Sequence, residues 1–260
     1  MWGHIILIKK SEIFLLEEIV KKNFTSKYKD SILGIFWTIL SPLLMMVLFT
    51  IVFSTLFRRT VDNYAIYFLS GWCVFMFFSN SISVSMGALK GNQNILQRTP
   101  APKYIFVLGG IISEFLNFLV MLFLLVIIMI VTHATFYWSI LPLAVIPIAS
   151  LFIMLLGLGF IMAILCVYYT DVRHLWSVIS MMFMYASALF YPMEIIPIEY
   201  RQYLILNPLY WAITQFRCLV YEGILPDGLN VINFVLLSLI IFVFGIIVFK
   251  KYETKVVLKF

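Results

Sequence analysis

Charged residues are scarce in this sequence. Asp, Glu, Lys and Arg make up 12% of its 260 residues, whereas soluble domains carry about 25%. Hydrophobic residues make up 63% and the mean hydropathy is +1.06. This composition excludes an ordinary soluble domain and indicates an integral membrane protein. Long apolar runs, rather than short alternating segments, favour membrane-spanning helices.

Residues that build catalytic or metal sites are also few. The three cysteines form no C-x-x-C pair and lie in apolar surroundings, so we interpret them as buried structural thiols. The three histidines are scattered, and no carboxylate pair or metal-ligand spacing is present. A phosphate loop of the form G-x-x-x-x-G-K-[ST] is missing as well. These absences argue against an enzyme, a bound metal and ATP binding by that route.

The apolar runs predict an all-α integral membrane fold with six transmembrane helices. The predicted spans cover residues 32–57, 65–89, 104–131, 139–168, 175–190 and 231–249. Residues 203–221 are apolar but interrupted by Asn207-Pro208. We expect this stretch to form an extracytoplasmic re-entrant or interfacial region between the fifth and sixth spans.

The distribution of Lys and Arg predicts the orientation. In this topology 14 of the 18 basic residues lie in the N-terminal segment, the second and fourth loops and the C-terminal tail. Because cytoplasmic loops carry the excess of Lys and Arg, both termini are expected in the cytoplasm. This arrangement also accounts for the net charge of +6 without a nucleic-acid partner.

Residues 1–30 are expected to form a cytoplasmic amphipathic interface segment ahead of the six-span transmembrane domain, residues 31–260. No signal peptide is evident, so the chain is expected to begin in the cytoplasm. Ile13, Leu16, Val20 and Phe24 share one helical face, which predicts a helix in the plane of the membrane surface. A passive anchor and a helix that couples to a partner are equally compatible with this pattern.

Two short cytoplasmic loops, residues 87–103 and 168–176, are candidates for contact with a partner. In the second loop Asp171 also suits the N-cap of the fifth membrane helix, and sequence alone slightly favours this capping role. Our candidate coupling residues are Leu16, Val20, Gly91, Asn92, Gln93, Asn94, Arg98, Asp171 and Arg173.

A translocation path would leave polar or aromatic residues inside the spans. Glu114 lies well inside the third span, where it is either a path residue or a protonated packing residue. Aromatic rings can line such a path, although membrane-interface belts and core packing use them more often. The candidate path residues are Trp37, Trp72, Phe75, Phe77, Phe78 and Glu114.

Residues 191–221 are the candidate outer gate. Prolines break helices here, and irregular backbone at membrane depth occurs only inside protein or beside water. An ordinary extracytoplasmic loop is the alternative. The candidate gate residues are Tyr191, Pro192, Asn207, Pro208, Tyr210 and Trp211.

Several of these segments together resemble a known family. The sequence YKDSILGIFWTILSP at residues 28–42 resembles the start of the first span in ABC-type polysaccharide exporter permeases. YTDVR at 169–173 resembles the family's loop after the fourth span. FYP at 190–192 and NPL at 207–209 are similar to its pattern around the extracytoplasmic re-entrant region. The resemblance covers nearly the whole chain in the same order.

The resemblance implies a homodimer of permeases with two cytoplasmic ABC ATPase subunits, which bind ATP and Mg²⁺. It further implies export of a lipid-linked polysaccharide across the bacterial inner membrane, most closely O-antigen. Export of capsule or teichoic acid, or of a drug or lipid, is the next alternative. A proton-coupled secondary transporter that uses Glu114 is a further one.

Overall fold

The computed structural model describes residues 10–26, 34, 36–54, 61–256 and 259. The described residues form α-helices and no β-strand, which confirms the all-α prediction. The helices are α1 (Lys10–Ser26), α2 (Phe36–Phe53), α3 (Tyr64–Ala88), α4 (Gln93–Arg98), α5 (Tyr104–Val131), α6 (Val145–Tyr168), α7 (Val172–Tyr185), α8 (Ile198–Ile205), α9 (Pro208–Arg217) and α10 (Gly228–Val256). A π-helical turn, Cys218–Glu222, extends α9.

Five of the described helices are long and apolar enough to cross a membrane. They are α2, α3, α5, α10 and the span Leu141–Tyr168, which consists of α6 and the 3₁₀ turn before it. They contain 18 to 29 residues, or about 27 to 44 Å at 1.5 Å per residue, against a hydrocarbon core of about 30 Å. The predicted fifth span corresponds to α7, which has 14 residues and ends at Tyr185. The predicted count of six spans is therefore not confirmed by helix length.

The loops gather at two ends of the bundle, which we name after their short helices. At the α4 end lie α4 itself, the start of α5, the turn between α6 and α7, and the C-terminus of α10. At the α9 end lie the start of α3, the loop between α5 and α6, and α8 and α9. The described residues leave out several segments, among them residues 1–9, 27–33, 35 and 55–60. Much of the predicted first-span motif falls in these segments.

The third helix, α3, is the centre of the bundle. It packs against α5, α6, α9 and α2, and 78% of its most apolar stretch is buried. Small side chains permit this close approach: Gly159 of α6 lies so near Ser85 that an added Cβ would sit 2.7 Å from its Oγ. The serine-rich face of α3 thus serves helix packing, as small residues commonly do in membranes.

The closest helix pair is α6 and α10. A Cβ placed on Gly157 would lie 2.5 Å from the Ile241 carbonyl oxygen, and one placed on Gly245 would collide with the Gly157 backbone. Only glycine at both positions lets the two backbones touch. Gly157 and Gly159 thus both serve close helix packing.

Three of the described helices have little cover from the rest of the chain. Only 11% of α2 and 17% of the most apolar stretch of α10 are buried, and α7 exposes Leu175, Val178, Met181, Met182 and Tyr185 along its length. Such continuous apolar exposure indicates contact with lipid or with another protein.

Candidate functional site

The amphipathic helix α1 packs along the first three turns of α5. Ile19 is buried, and a Cβ on Gly109 of α5 would lie 2.7 Å from its Cγ2 and 3.5 Å from Leu16 Cδ1. Ser113 Oγ lies 3.4 Å from the Val20 carbonyl oxygen. Leu16 and Val20 therefore face α5, whereas Ile13 and Phe14 are exposed. Since Ile19 was not in the predicted stripe, the face used against α5 is rotated from the expected one.

The loop between α3 and α5 is tied both to α1 and to α3. Lys22 Nζ donates to Asn92 Oδ1 at 3.0 Å, and Asn92 Nδ2 donates to the Ala88 carbonyl at 2.8 Å. Gly91, Asn94 and Arg98 are exposed, and Gln93 is half-buried. A movement of α4 would consequently be transmitted to α1 and to the last turn of α3.

The turn before α7 meets the same part of α3. Asp171 begins α7 through its carbonyl, which accepts from Leu175 N at 3.1 Å, and its side chain makes no capping hydrogen bond. The structure does not support the capping role that sequence slightly favoured. A Cβ on Gly87 would lie 3.8 Å from the Arg173 guanidinium. The three candidate coupling segments are thus assembled around the end of α3, with both Asp171 and Arg173 exposed.

The candidate path residues fall into two groups. Trp37 on α2 is exposed. The others are buried in the protomer: Trp72, Phe75, Phe77, Phe78 and Glu114. Phe77 stacks on Phe118 with ring centroids 5.1 Å apart, and Glu114 Oε2 accepts from Asn117 Nδ2 at 3.1 Å. Packing inside the chain accounts for these five side chains, so Trp37 is the one exposed residue of the six candidates.

The candidate gate residues organise the backbone at the α9 end. Asn207 Oδ1 accepts from Leu209 N at 2.9 Å, which caps α9, and Pro208 occupies its first turn. Asn207 Nδ2 reaches back to the Ala186 carbonyl at 3.1 Å. Trp211 Nε1 donates to the Ile205 carbonyl at 2.7 Å and so fixes α8 against α9.

Tyr191, Pro192 and Tyr210 complete the candidate gate. Tyr191 OH donates to the Tyr185 carbonyl at 2.5 Å and so links the segment after α7 to the last residue of that helix. Pro192 is buried, and Tyr210 packs edge-on against Trp211 with ring centroids 5.9 Å apart. All six candidate gate residues therefore belong to one contiguous region.

The strongest link in this region is Arg217, which was not among the candidate gate residues. It is 4% exposed, and its guanidinium donates to the carbonyls of Tyr67 (3.2 Å), Ala188 (2.7 Å) and Leu189 (2.7 Å). Its Cζ lies 3.7 Å from the centre of the Tyr67 ring. Arg217 thereby joins α9 to α3 and to residues 186–191, which we name the break segment because α7 ends before it. An arginine inside an interrupted apolar stretch was the signal in the sequence.

The break segment has an unusual backbone. Ala188 has φ +49°, a left-handed conformation that is uncommon outside glycine. Its carbonyl accepts from both Arg217 Nη1 and Tyr67 OH, and Tyr64 OH donates to the Phe190 carbonyl at 2.8 Å. These side-chain bonds hold the segment in a conformation that alanine alone disfavours.

A cavity of about 930 Å³ opens at the α9 end beside Arg217. Its walls come from the start of α3, the loop after α5, the turn at Met193–Ile195, and α9 with its π-helical turn. Burial raises the pKa of Tyr221, and burial followed by the nearby Glu222 raises the pKa of Cys218 to about 12. Both groups therefore stay protonated and neutral. Among the described residues no cluster of three or more metal-ligating side chains occurs.

Comparison with known proteins agrees with this architecture. Residues 15–221 match the membrane domain described as ABC-2 type transporter. The chain belongs to the ABC-2 type transporter family. An ABC-2 permease is a transport subunit rather than an enzyme, and the matched range spans α2 to α9 and most of α1.

The relatives of this ABC-2 permease include O-antigen export permeases and a polysialic acid transport protein. It is 25% identical over 242 residues to an O-antigen export system permease protein RfbA from Klebsiella pneumoniae, covering 91% of both chains. The RfbA of Myxococcus xanthus is 24% identical over 216 residues, covering 82% of this chain and 83% of its own. The polysialic acid transport protein KpsM of Escherichia coli is 21% identical over 240 residues, covering 92% and 93%.

Proposed function

We propose that this ABC-2 permease is the membrane subunit of an ATP-driven exporter of lipid-linked polysaccharide, and that its cargo is O-antigen. The observation that carries the proposal is the similarity to two RfbA permeases over at least 82% of the chain. The assembly of three candidate coupling segments around the end of α3 supports it. A capsule polysaccharide is the second candidate, favoured by the similarity to KpsM.

The proposed topology has six spans in the bacterial inner membrane. In it α7 and the break segment together form the fifth span, and α9 is re-entrant from the extracytoplasmic side. The α4 end carries Lys90, Arg98, Lys103, Arg173 and Lys250, whereas the described part of the α9 end carries Arg201 and Arg217. By the positive-inside rule the α4 end and both termini are cytoplasmic.

The proposed conduit lies between two copies of the chain. A polymer longer than the bilayer is thick cannot be enclosed whole, so it requires a continuous gated passage. The exposed apolar faces of α2 and α7 suit this role, because the rest of the protomer leaves them uncovered. In this arrangement Trp37 contacts the polysaccharide, and the break segment with α9 forms the outer gate.

ATP and Mg²⁺ are bound by a pair of partner ATPase subunits at the α4 end, and this chain holds no cofactor of its own. Nucleotide binding in the partner moves α1, α4 and the turn at Asp171–Arg173. Arg173 approaches Gly87, and Lys22 bonds to Asn92, so these movements converge on the end of α3. Since α3 carries Tyr64 and Tyr67, which bond the break segment, it connects the coupling end to the gate.

Purification from native membranes in mild detergent, followed by mass spectrometry, tests the partnership. We expect an ATPase with a phosphate loop to be recovered in equal copies with this chain. Recovery of the chain alone from preparations that still transport would contradict the proposal. A proton-coupled transporter would then be the better account, and Glu114→Gln would abolish its transport.

A further inference from the structure

The cavity at the α9 end adjoins the proposed outer gate, because Ala188 of the break segment and Tyr210 and Arg217 of α9 line it. None of its lining residues belongs to α2 or α7, whose apolar faces border the proposed conduit. It lies within one protomer and opens at the end that is extracytoplasmic in the proposed topology. Its volume of about 930 Å³ falls in the range of ligand-binding sites, about 300 to 1,000 Å³.

The walls combine hydrogen-bond acceptors with hydroxyl groups and aromatic rings. Asp62, Glu194 and Glu222 supply carboxylates, and all three are exposed enough to meet a ligand from solvent. Four tyrosines and three threonines supply hydroxyl groups, of which Tyr67 OH and Thr132 Oγ1 already donate to backbone carbonyls. Sugar hydroxyls both donate and accept, so a sugar can satisfy acceptors and donors that stand side by side.

The aromatic part of the cavity is held rigidly. Tyr67 lies under Arg217, and Tyr221 packs edge-on against Tyr67 with ring centroids 5.9 Å apart. The Tyr137 ring lies directly over Gly223, whose φ of +68° and missing side chain make room for it. A preorganised wall of this kind lowers the entropic cost of binding.

Two other ligand classes fit less well. A simple anion would face three carboxylates, and three of the five guanidinium N–H groups of Arg217 are already bonded to backbone carbonyls. A divalent cation requires several oxygen ligands within about 2.6 Å, and the described residues include no metal-binding cluster of at least three His, Cys, Asp or Glu.

We propose that this cavity is a carbohydrate-binding subsite that takes a short neutral stretch of sugar residues at the extracytoplasmic end of each protomer. The inference rests on the proposed function, because an exporter delivers its sugars to this side of the membrane. Tyr137 and Tyr221 offer rings to the sugar, and Glu194 and Glu222 accept from its hydroxyls. Such a subsite holds the emerging chain and opposes its return.

Binding is measured on the full chain in lipid nanodiscs by saturation-transfer NMR. The neutral probes are maltotriose, cellotriose, chitotriose and mannotriose at low-millimolar concentration, and pyrophosphate and Ca²⁺ are the alternative probes. The test variant combines Glu194→Gln with Glu222→Gln. The control is Glu199→Gln, an exposed glutamate on α8 that does not line the cavity.

We expect at least one trisaccharide to bind, with about a fivefold loss of affinity for each hydrogen bond that loses its charge in the Glu→Gln variant and no loss in the control. The proposal is overturned if no trisaccharide binds, if the test variant binds as the unaltered chain does, or if pyrophosphate or Ca²⁺ alone binds. Parallel measurement of ATP-driven export separates the two proposals. Export without trisaccharide binding removes only the subsite, and binding without export removes only the exporter function.

Discussion

Replacement of Arg217 by methionine should destabilise the protein substantially. The change removes three hydrogen bonds from a charged donor, each worth about 1.5 to 3 kcal/mol. The three carbonyls are affected unequally. The Ala188 carbonyl keeps its hydrogen bond from Tyr67 OH, and the Tyr67 carbonyl keeps one from Ser70 Oγ. The Leu189 carbonyl retains no other side-chain donor among the described residues.

Relief of the buried charge offsets part of the loss, because methionine carries no desolvation cost. We therefore expect the free energy of unfolding to fall by about 2 to 4 kcal/mol. For domains of 150 to 250 residues this corresponds to about 4 to 16 °C in the apparent melting temperature. Differential scanning fluorimetry of the purified protein in detergent measures the shift.

Arg201 on α8 provides the matched control. Its guanidinium also donates to two backbone carbonyls, those of Ile196 and Glu194, each at 2.9 Å, but it is only half-buried. Because water can hydrogen-bond to the Ile196 and Glu194 carbonyls once the guanidinium is gone, Arg201→Met should lower the free energy of unfolding by less than about 1 kcal/mol. Equal shifts for the two methionine variants would refute the argument that burial of Arg217 gives these bonds their strength.

Three further predictions follow from the same contacts. Gly157→Ala should lower the melting temperature, because the added methyl group separates α6 from α10 at a cost of about 1 to 3 kcal/mol. Gly91 has open space around it, so Gly91→Ala should leave the melting temperature unchanged. Equal melting curves for the two variants would contradict the close contact between α6 and α10. Ala188→Gly should leave the free energy of unfolding unchanged or raise it by up to about 1 to 2 kcal/mol, because glycine adopts the left-handed conformation without strain. A clear loss of stability in the same melting assay would show that the backbone at Ala188 is unstrained. Asp171→Ala and Arg173→Ala should each reduce ATP-driven export while leaving membrane insertion and melting temperature intact; export at the unaltered rate in both variants would remove these residues from the coupling site.

The sequence predicted the long spans well because hydrophobicity alone defines them. The expected span 104–131 coincides with α5, and the expected span 65–89 differs from α3 by one residue at each end. The predicted fifth span, residues 175–190, is not confirmed as a helix of that extent, because apolar residues continue past Tyr185 but α7 does not. The break there depends on distant partners, Arg217, Tyr67 and Asn207, which no local pattern reveals.

The candidate sites show the same division. Asn207-Pro208 was identified from local turn chemistry, and it does cap α9. The aromatic candidates on α3 were chosen for their chemistry, yet Trp72, Phe75 and Phe77 are buried because α3 is the central helix. The composition of a segment shows that it can span the membrane. Tertiary packing decides which of the spanning helices is enclosed by the others.

Transport by reconstituted vesicles tests the central claim most directly. Inside-out vesicles that contain this permease, its ATPase partner and lipid-linked O-antigen on the outer face are given ATP and Mg²⁺, and polysaccharide in the lumen is measured. The account predicts accumulation that requires ATP and both subunits. Failure of polysaccharide to accumulate although the complex hydrolyses ATP, or accumulation that continues without the ATPase, would contradict it.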